Sequence, residues 1–192
     1  MKVVLASASI RRQQLLKRLV DNFDVFVSNF SEESVEFKGD CSTYVMDLAL
    51  GKAKNACLKL PEKNLVIIGC DTVVYFNGKI FGKPKDRDEA FYMLKSLSGN
   101  EHQVYSGIAV INKELGIVEK DFVKTSVKFS DISDDEIERY LKKGEYKDKA
   151  GAYGIQGYGG VFVSEIHGCY YNVVGLPLNK IYKILVGMGV NL

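Results

Sequence analysis

The stretch Leu65-Val66-Ile67-Ile68, carried through Gly69-Cys70-Asp71-Thr72 into Val73-Val74-Tyr75, limits the possible folds more than any other part of the chain. Apolar residues at successive positions, rather than alternate ones, describe a strand covered on both faces. Asn77-Gly78 follows and signals a two-residue hairpin turn. If the turn forms, Phe76 pairs with Lys79, and counting back brings Lys83 opposite Thr72, beside Asp71.

Shorter segments build around this strand. Val3 to Leu5 reads as a buried strand, after which Ser9 caps a helix with Leu15, Leu16 and Leu19 on its apolar face. Val25 to Val27 offers another strand, and Ser28 to Gly39 is a polar, acidic connection. A helix is expected from Ser42 to Leu58, with Val45, Leu48, Ala49 and Ala56 at helical spacing. Asp86 with Glu89 opens a helix carrying Ala90, Phe91, Leu94 and Leu97, closed by Gly99. Val104 to Ile111 and Phe122 to Phe129 read as strands, Ser133 caps a helix ending at Gly144, and Pro177 opens the last helix, with Ile181, Ile184 and Leu185 inward. Seven glycines fall between residues 151 and 175. The alternation predicts an α/β fold with a mixed sheet.

At 192 residues the chain suits one folding unit, residues 1–192, or two lobes sharing a sheet. A net charge of +2 without a polybasic run argues against a coat for nucleic acid or for an anionic membrane. Four scattered cysteines with no CxxC pair fit a reducing cytoplasm better than zinc or a disulfide framework. No apolar stretch reaches the ~18 residues of a membrane span. The apolar run near the N-terminus is too short for a signal peptide, and Arg11-Arg12 follow it at once.

The residues that could carry chemistry stand out as local conflicts. Arg11 and Arg12 fall in the first turn of their helix, where cations are unfavourable by a few tenths of a kcal/mol. An anion held by backbone N–H groups, the Ser7 and Ser9 hydroxyls and both guanidinium groups resolves the conflict; side chains turned back into solvent do so equally. Lys52 shares the apolar helix face of Leu48 and Ala56, so it either snorkels or meets an anion. Asp71 interrupts an apolar strand, where a carboxylate must be paired, hydrogen-bonded or metal-bound. An Asp71–Lys83 ion pair and a functional site are both open. Glu32 and Glu33 form either a solvated loop or help for Asp71 in holding a hard divalent cation. His102 and His167 lack ligand-spaced partners and suit structural roles. The glycine-rich stretch contains neither standard nucleotide fingerprint.

Together the segments resemble the Maf family of nucleoside triphosphate pyrophosphatases. The resemblance is carried in order by Leu5-Ala-Ser-Ala-Ser-Ile-Arg-Arg12, Gly69-Cys-Asp-Thr72, Gly82-Lys-Pro84, Ser98-Gly99 with His102, Asp148-Lys-Ala-Gly-Ala-Tyr-Gly-Ile-Gln-Gly157, and Tyr170-Tyr-Asn-Val-Val-Gly-Leu-Pro177. It implies a Maf/ITPase-like fold, a mixed twisted sheet flanked by helices with two lobes around a deep cleft. It also implies hydrolysis of a nucleoside triphosphate to the monophosphate and pyrophosphate with Mg²⁺ or Mn²⁺.

By position, the resemblance makes Asp71 the proton acceptor for the attacking water and Ser7, Arg11, Arg12, Lys52 and Lys83 the groups on the phosphates. Glu32 becomes a second metal carboxylate beside Asp71. Thr72 and Gln156 match the branch associated with dTTP and UTP, and a glutamine amide can answer both the carbonyl and the N–H of such a base. Modified pyrimidine triphosphates are a related expectation, as is a homodimer. A nucleotide-binding regulator of cell division or septum formation is the alternative, though a pure sensor needs no base. Ile10, Cys70 and Ser106 stand where the family usually has proline, alanine and threonine.

Overall fold

The structure, a computed structural model, describes residues Met1–Leu192. They separate into two compact units, the first made of Met1–Asp71, Ser106–Val123 and Gly175–Leu192, the second of Thr72–Tyr105 and Lys124–Val174. In chain order the elements are β1 (Lys2–Leu5), α1 (Ile10–Leu16), β2 (Phe23–Val25), α2 (Cys41–Lys59), β3 (Leu65–Phe76), β4 (Lys79–Phe81), α3 (Arg87–Leu97), β5 (Glu101–Asn112), β6 (Ile117–Phe129), α4 (Asp134–Lys142), β7 (Val163–His167), α5 (Tyr170–Val174) and α6 (Leu178–Gly187). The sheet is mixed and seven-stranded, in the order β2-β1-β3-β5-β6-β7, with β4 paired to β3.

In the first unit β1 lies parallel to both β2 and β3. The β2 strand sits two residues earlier than its apolar pattern predicts, because Leu5, the last residue of β1, pairs with Val25 and leaves Val27 no partner in the ladder. Helix α1 is short. It buries Leu15 and Leu16, but Leu19 lies in the turn beyond it, outside the helical period, and Val20 is buried in its place. Helix α2 is N-capped by Asp40, whose carboxylate accepts the N–H groups of Ser42 and Thr43. Its small buried face, Ala49, Ala53 and Ala56, packs with Val4, Leu65, Ile67 and Ala109.

Two glycines set how closely α2 approaches the strands. A Cβ on Gly69 would stand 2.1 Å from the Ala49 carbonyl oxygen, and one on Gly107 would stand 2.0 Å from that of Val45. Side chains alternate along a strand, so Asp71 points to the same side as Gly69, toward the helix that carries Lys52.

The second unit holds a core in which Val74, Leu94, Leu97, Val104, Phe129, Ile137 and Tyr153 pack together. The Asn77-Gly78 turn forms as expected: both residues have positive φ, 47° and 79°, and Phe76 pairs with Lys79. The β4 ladder stops at Phe81, however, so Lys83 lies beyond the pairing in an exposed bend. Ser133 and Glu136 form a complete capping box on α4, whereas Glu89 of α3 turns its carboxylate to the Lys85 N–H. Two short elements in the glycine-rich region, β7 and α5, carried no clear periodicity. No helix is long and apolar enough to cross a membrane.

Candidate active site

Within the first unit the chain brings five of the expected side chains, Ser7, Arg12, Glu32, Lys52 and Asp71, into one neighbourhood. Ala6 continues the β1–β3 pairing, its N–H donating to the Ile68 carbonyl at 2.8 Å, and so delivers a buried Ser7 at the end of the strand. The Ser7 hydroxyl accepts Nη1 of Arg12 at 3.3 Å and the Ser9 N–H at 3.3 Å. Arg12 also donates from Nε to the Gly175 carbonyl oxygen at 2.9 Å, and the Cys70 thiol donates to that same oxygen at 3.4 Å. The half-buried guanidinium is thereby anchored. Arg11 occupies the preceding helical position, half-buried.

The centre of the cluster is Lys52. Its ammonium contacts Oδ1 of Asp71 and stands 2.8 Å from Oε1 of Glu32. The Lys52 and Asp71 side chains are only 13% and 10% exposed, and Glu32 is 52% exposed. Burial works against the lysine's charge, as does Arg12, but the charge of Asp71 and the hydrogen bonds to Asp71 and Glu32 outweigh both, and its pKa is raised. Of the partners open to Asp71, the one it meets is Lys52, because α2 sits against Gly69; β4 ends before Lys83, so the register that would set Lys83 opposite Thr72 is not reached.

Glu32 reaches the lysine from a 3-10 turn, Glu32–Ser34, in the connection that runs back along α2. That connection is fastened along its length. Asn55 accepts from Ser28 and from the Asn29 N–H, Lys59 donates to Asn29, the Phe30 ring lies on Gly51, and Phe37 meets Tyr44 edge-on with centroids 5.5 Å apart. Glu32, rather than Glu33, is the carboxylate on Lys52.

The Lys52 ammonium bridges the two carboxylates and so brings their oxygens to one place, and hard oxygen donors of this kind suit a divalent cation. No group of three or more His, Cys, Asp or Glu side chains is placed to hold a metal. Asp71 and Glu32 are the two carboxylates that could hold an ion such as Mg²⁺, which takes one or two carboxylates and completes its shell with water and substrate phosphates.

Sequence reading missed two members of this neighbourhood. Tyr44 stands eight residues before Lys52 on α2, and burial, followed by the negative charges of Asp71 and Glu32, pushes its hydroxyl up. That spacing on one helix was the available signal. The Gly175 carbonyl carried none, because a backbone group contributed from residues far along the chain leaves no trace in composition.

The other expected residues belong to the second unit. Thr72 follows Asp71 on β3 and is half-buried, and Lys83 and Gln156 are exposed. The Gly151 N–H donates to the Gly82 carbonyl at 3.0 Å, tying the Lys83 bend to the segment that leads to Gln156. That segment is strained: Asp148 and Ala152 both hold left-handed backbone, with φ of 60° and 63°. His102 has the structural setting expected of it, its Nε2 2.9 Å from the Tyr153 hydroxyl and its ring edge-on to Phe129. Burial holds it down to about 4.

With this geometry in place, the likeness to known proteins is informative at two levels. The Ham1 protein of Staphylococcus aureus matches with a TM-score of 0.56 at 15% identity, over 98% of this chain and 100% of that one, which establishes an α/β architecture of the same kind. Residues 2–188 match the Maf family, described as Maf-like protein, and the chain belongs to that family. A dTTP/UTP pyrophosphatase of Clostridium kluyveri is 68% identical over 192 residues, covering 100% of both chains. Another from Clostridium novyi (strain NT) is 58% identical, again over 100% of both.

Proposed function

We propose that the protein hydrolyses dTTP and UTP to the monophosphate and pyrophosphate, and that residues 1–192 act as one functional domain. The observation that carries the chemistry is the Lys52–Asp71–Glu32 cluster beside the anchored Arg12 and Ser7. It holds, in one buried place, a carboxylate able to take a proton and cations able to spread phosphate charge. A purely regulatory nucleotide sensor needs the cations but not the carboxylate, and full-length relatives are named for the hydrolysis.

In this reading Ser7, Arg11, Arg12, Lys52 and Lys83 bind the triphosphate oxygens. Asp71, held at Oδ1 by Lys52, takes the proton of a water aligned on the α-phosphorus, and pyrophosphate leaves. A divalent cation held by Asp71 and Glu32 would supply charge neutralisation at the phosphates. With the oxyanions met by fixed cations, no covalent nucleophile is needed. Thr72 and Gln156 meet the base, whose carbonyl and N–H a glutamine amide can answer together. Modified pyrimidine triphosphates presenting the same edge belong to this substrate class. The four free cysteines support a reducing, cytoplasmic setting.

The test is product analysis with UTP and dTTP in the presence of Mg²⁺ or Mn²⁺. UMP or dTMP with pyrophosphate is expected in equal amounts; release of orthophosphate as the first product would rule out attack at the α-phosphorus.

A further inference from the structure

The segment containing Gln156 holds two backbone turns of its own, the Gly157 N–H donating to the Gly154 carbonyl at 3.2 Å and the Gly160 N–H to the Gly157 carbonyl at 3.0 Å, but has no side-chain cap. It runs Gly154-Ile155-Gln156-Gly157 into a 3-10 turn, Tyr158–Phe162, whose N-cap is Gly157 and has no side chain with which to cap it. The first N–H groups of such a turn have no partner within it. They are supplied from thirteen residues upstream. Glu145, in the turn after α4, accepts the Tyr158 N–H on Oε2 at 2.8 Å and the Gly159 N–H on Oε1 at 3.3 Å. The Tyr140 hydroxyl donates to Oε1 at 3.4 Å and itself accepts the Gly154 N–H at 3.3 Å. Gln156 is thus bracketed, with the backbone fixed two residues before it and two residues after it.

The glycines are the counterpart of this clasp. A Cβ on Gly157 would lie 2.2 Å from Oε2 of Glu145, and one on Gly154 would lie 2.8 Å from Oε1. Bare backbone at those two positions lets the carboxylate enter the loop. Lys149 closes the other side, donating from Nζ to the Glu145 carbonyl at 2.8 Å. The arrangement leaves the Gln156 side chain exposed while its backbone is held.

We infer that Glu145 is a positioning residue for nucleobase selection, fixing the loop from which Gln156 reads a pyrimidine with a carbonyl acceptor beside a ring N–H. The inference rests on the reading of Gln156 given above. Selection needs such a device because a glutamine amide turned end for end offers donor and acceptor in reverse order, which suits cytosine as well as uracil. Discrimination then depends on how firmly the loop sets the amide against the base. A charged carboxylate accepting two N–H groups is a stronger tether than a neutral one.

The experiment measures kcat and KM for UTP and CTP in wild type, Glu145→Ala, Glu145→Gln, Gln156→Ala and the double variant Glu145→Ala/Gln156→Ala, with melting temperature recorded for each. The expected result is a UTP-over-CTP ratio of kcat/KM lowered about tenfold in Glu145→Ala, expressed mainly in KM. Glu145→Gln, which keeps one acceptor oxygen, should fall between it and wild type, and the double variant should be no less selective than Gln156→Ala alone. A ratio unchanged in Glu145→Ala while Gln156→Ala lowers it overturns the inference and leaves the Gln156 reading standing, as does an additive loss in the double variant. An unchanged ratio in Gln156→Ala removes that reading and the inference with it. If Glu145→Ala does not fold, Glu145→Gln decides: a ratio lowered about threefold supports the inference, and a wild-type ratio overturns it.

Discussion

The charged cluster of the first unit and the Gln156 loop of the second are built on opposite plans. Lys52 and Asp71 project from the middle of a nineteen-residue helix and a twelve-residue strand, and their positions follow from close packing against Gly69. Gln156 projects from irregular, glycine-rich chain held by short backbone turns and by hydrogen bonds to one carboxylate. The difference matches what each has to do. On the proposed function, phosphate charge is met by charges at fixed places, which rigid elements supply, whereas the base edge is met by an amide on a backbone held from outside the loop. Defects should therefore read out differently: as lost turnover or stability in the charged cluster, and as lost selectivity in the Gln156 loop.

The sharpest test of that contrast is Asp71→Asn, which keeps the shape but cannot take a proton. It is expected to lower kcat by about 10²–10⁴-fold while nucleotide still binds, as measured by steady-state kinetics and by calorimetry with UTP. Turnover near wild type would remove Asp71 from the chemistry. Next comes Lys52→Met, which strands the buried Asp71 carboxylate; a loss of about 3–5 kcal/mol in urea unfolding is expected, most of it recovered when Asp71→Asn is added. A double-variant loss equal to the sum of the two single losses would show that the pair is not coupled.

The second unit has its own sensitivity to acid. Neutral His102 is favoured by burial, its value falling from 6.5 to about 4, so the unfolded chain binds the extra proton first as pH drops. Stability is then fully present above pH 6.5 and is lost toward pH 4, by about 3 kcal/mol for this one group. Unfolding of Gln-substituted His102, His102→Gln, should lack that part of the pH dependence; identical pH profiles for variant and wild type would contradict the burial argument. The smallest effect expected is from Ser133→Ala, which opens the α4 capping box. It should cost about 1 kcal/mol in thermal unfolding and leave the UTP-over-CTP ratio alone. A change in that ratio would mean that the base loop senses α4 as a whole rather than Glu145 in particular.

Much of the cluster was legible as contradictions in the chain: a lysine on the apolar face of a helix, an aspartate inside an apolar strand, arginines in a first helical turn. Each is a residue that local rules disfavour, and Lys52 and Asp71 prove to be each other's answer. The register counted for Lys83 failed for a specific reason, since hairpin counting assumes that pairing continues, and β4 ends at Phe81. Leu19 and the placement of β2 failed in the same way, at element ends, where the period that predicts them has stopped. Tyr44 had a signal in its helical spacing; Glu145 and the Gly175 carbonyl had none, because their roles depend on chain segments brought together by folding.

By itself the sequence determined the alternation of strands and helices, the long buried strand, the Asn77-Gly78 turn and the types of residue available for chemistry. These follow from side-chain period, local backbone preference and the cost of burying charge, all of which act over a few residues. Only the tertiary structure decided which cation Asp71 meets, which glutamate joins Lys52, and that Glu145 holds the loop of Gln156. Those outcomes depend on where elements end and how closely two backbones approach, quantities fixed by packing among residues distant in the chain.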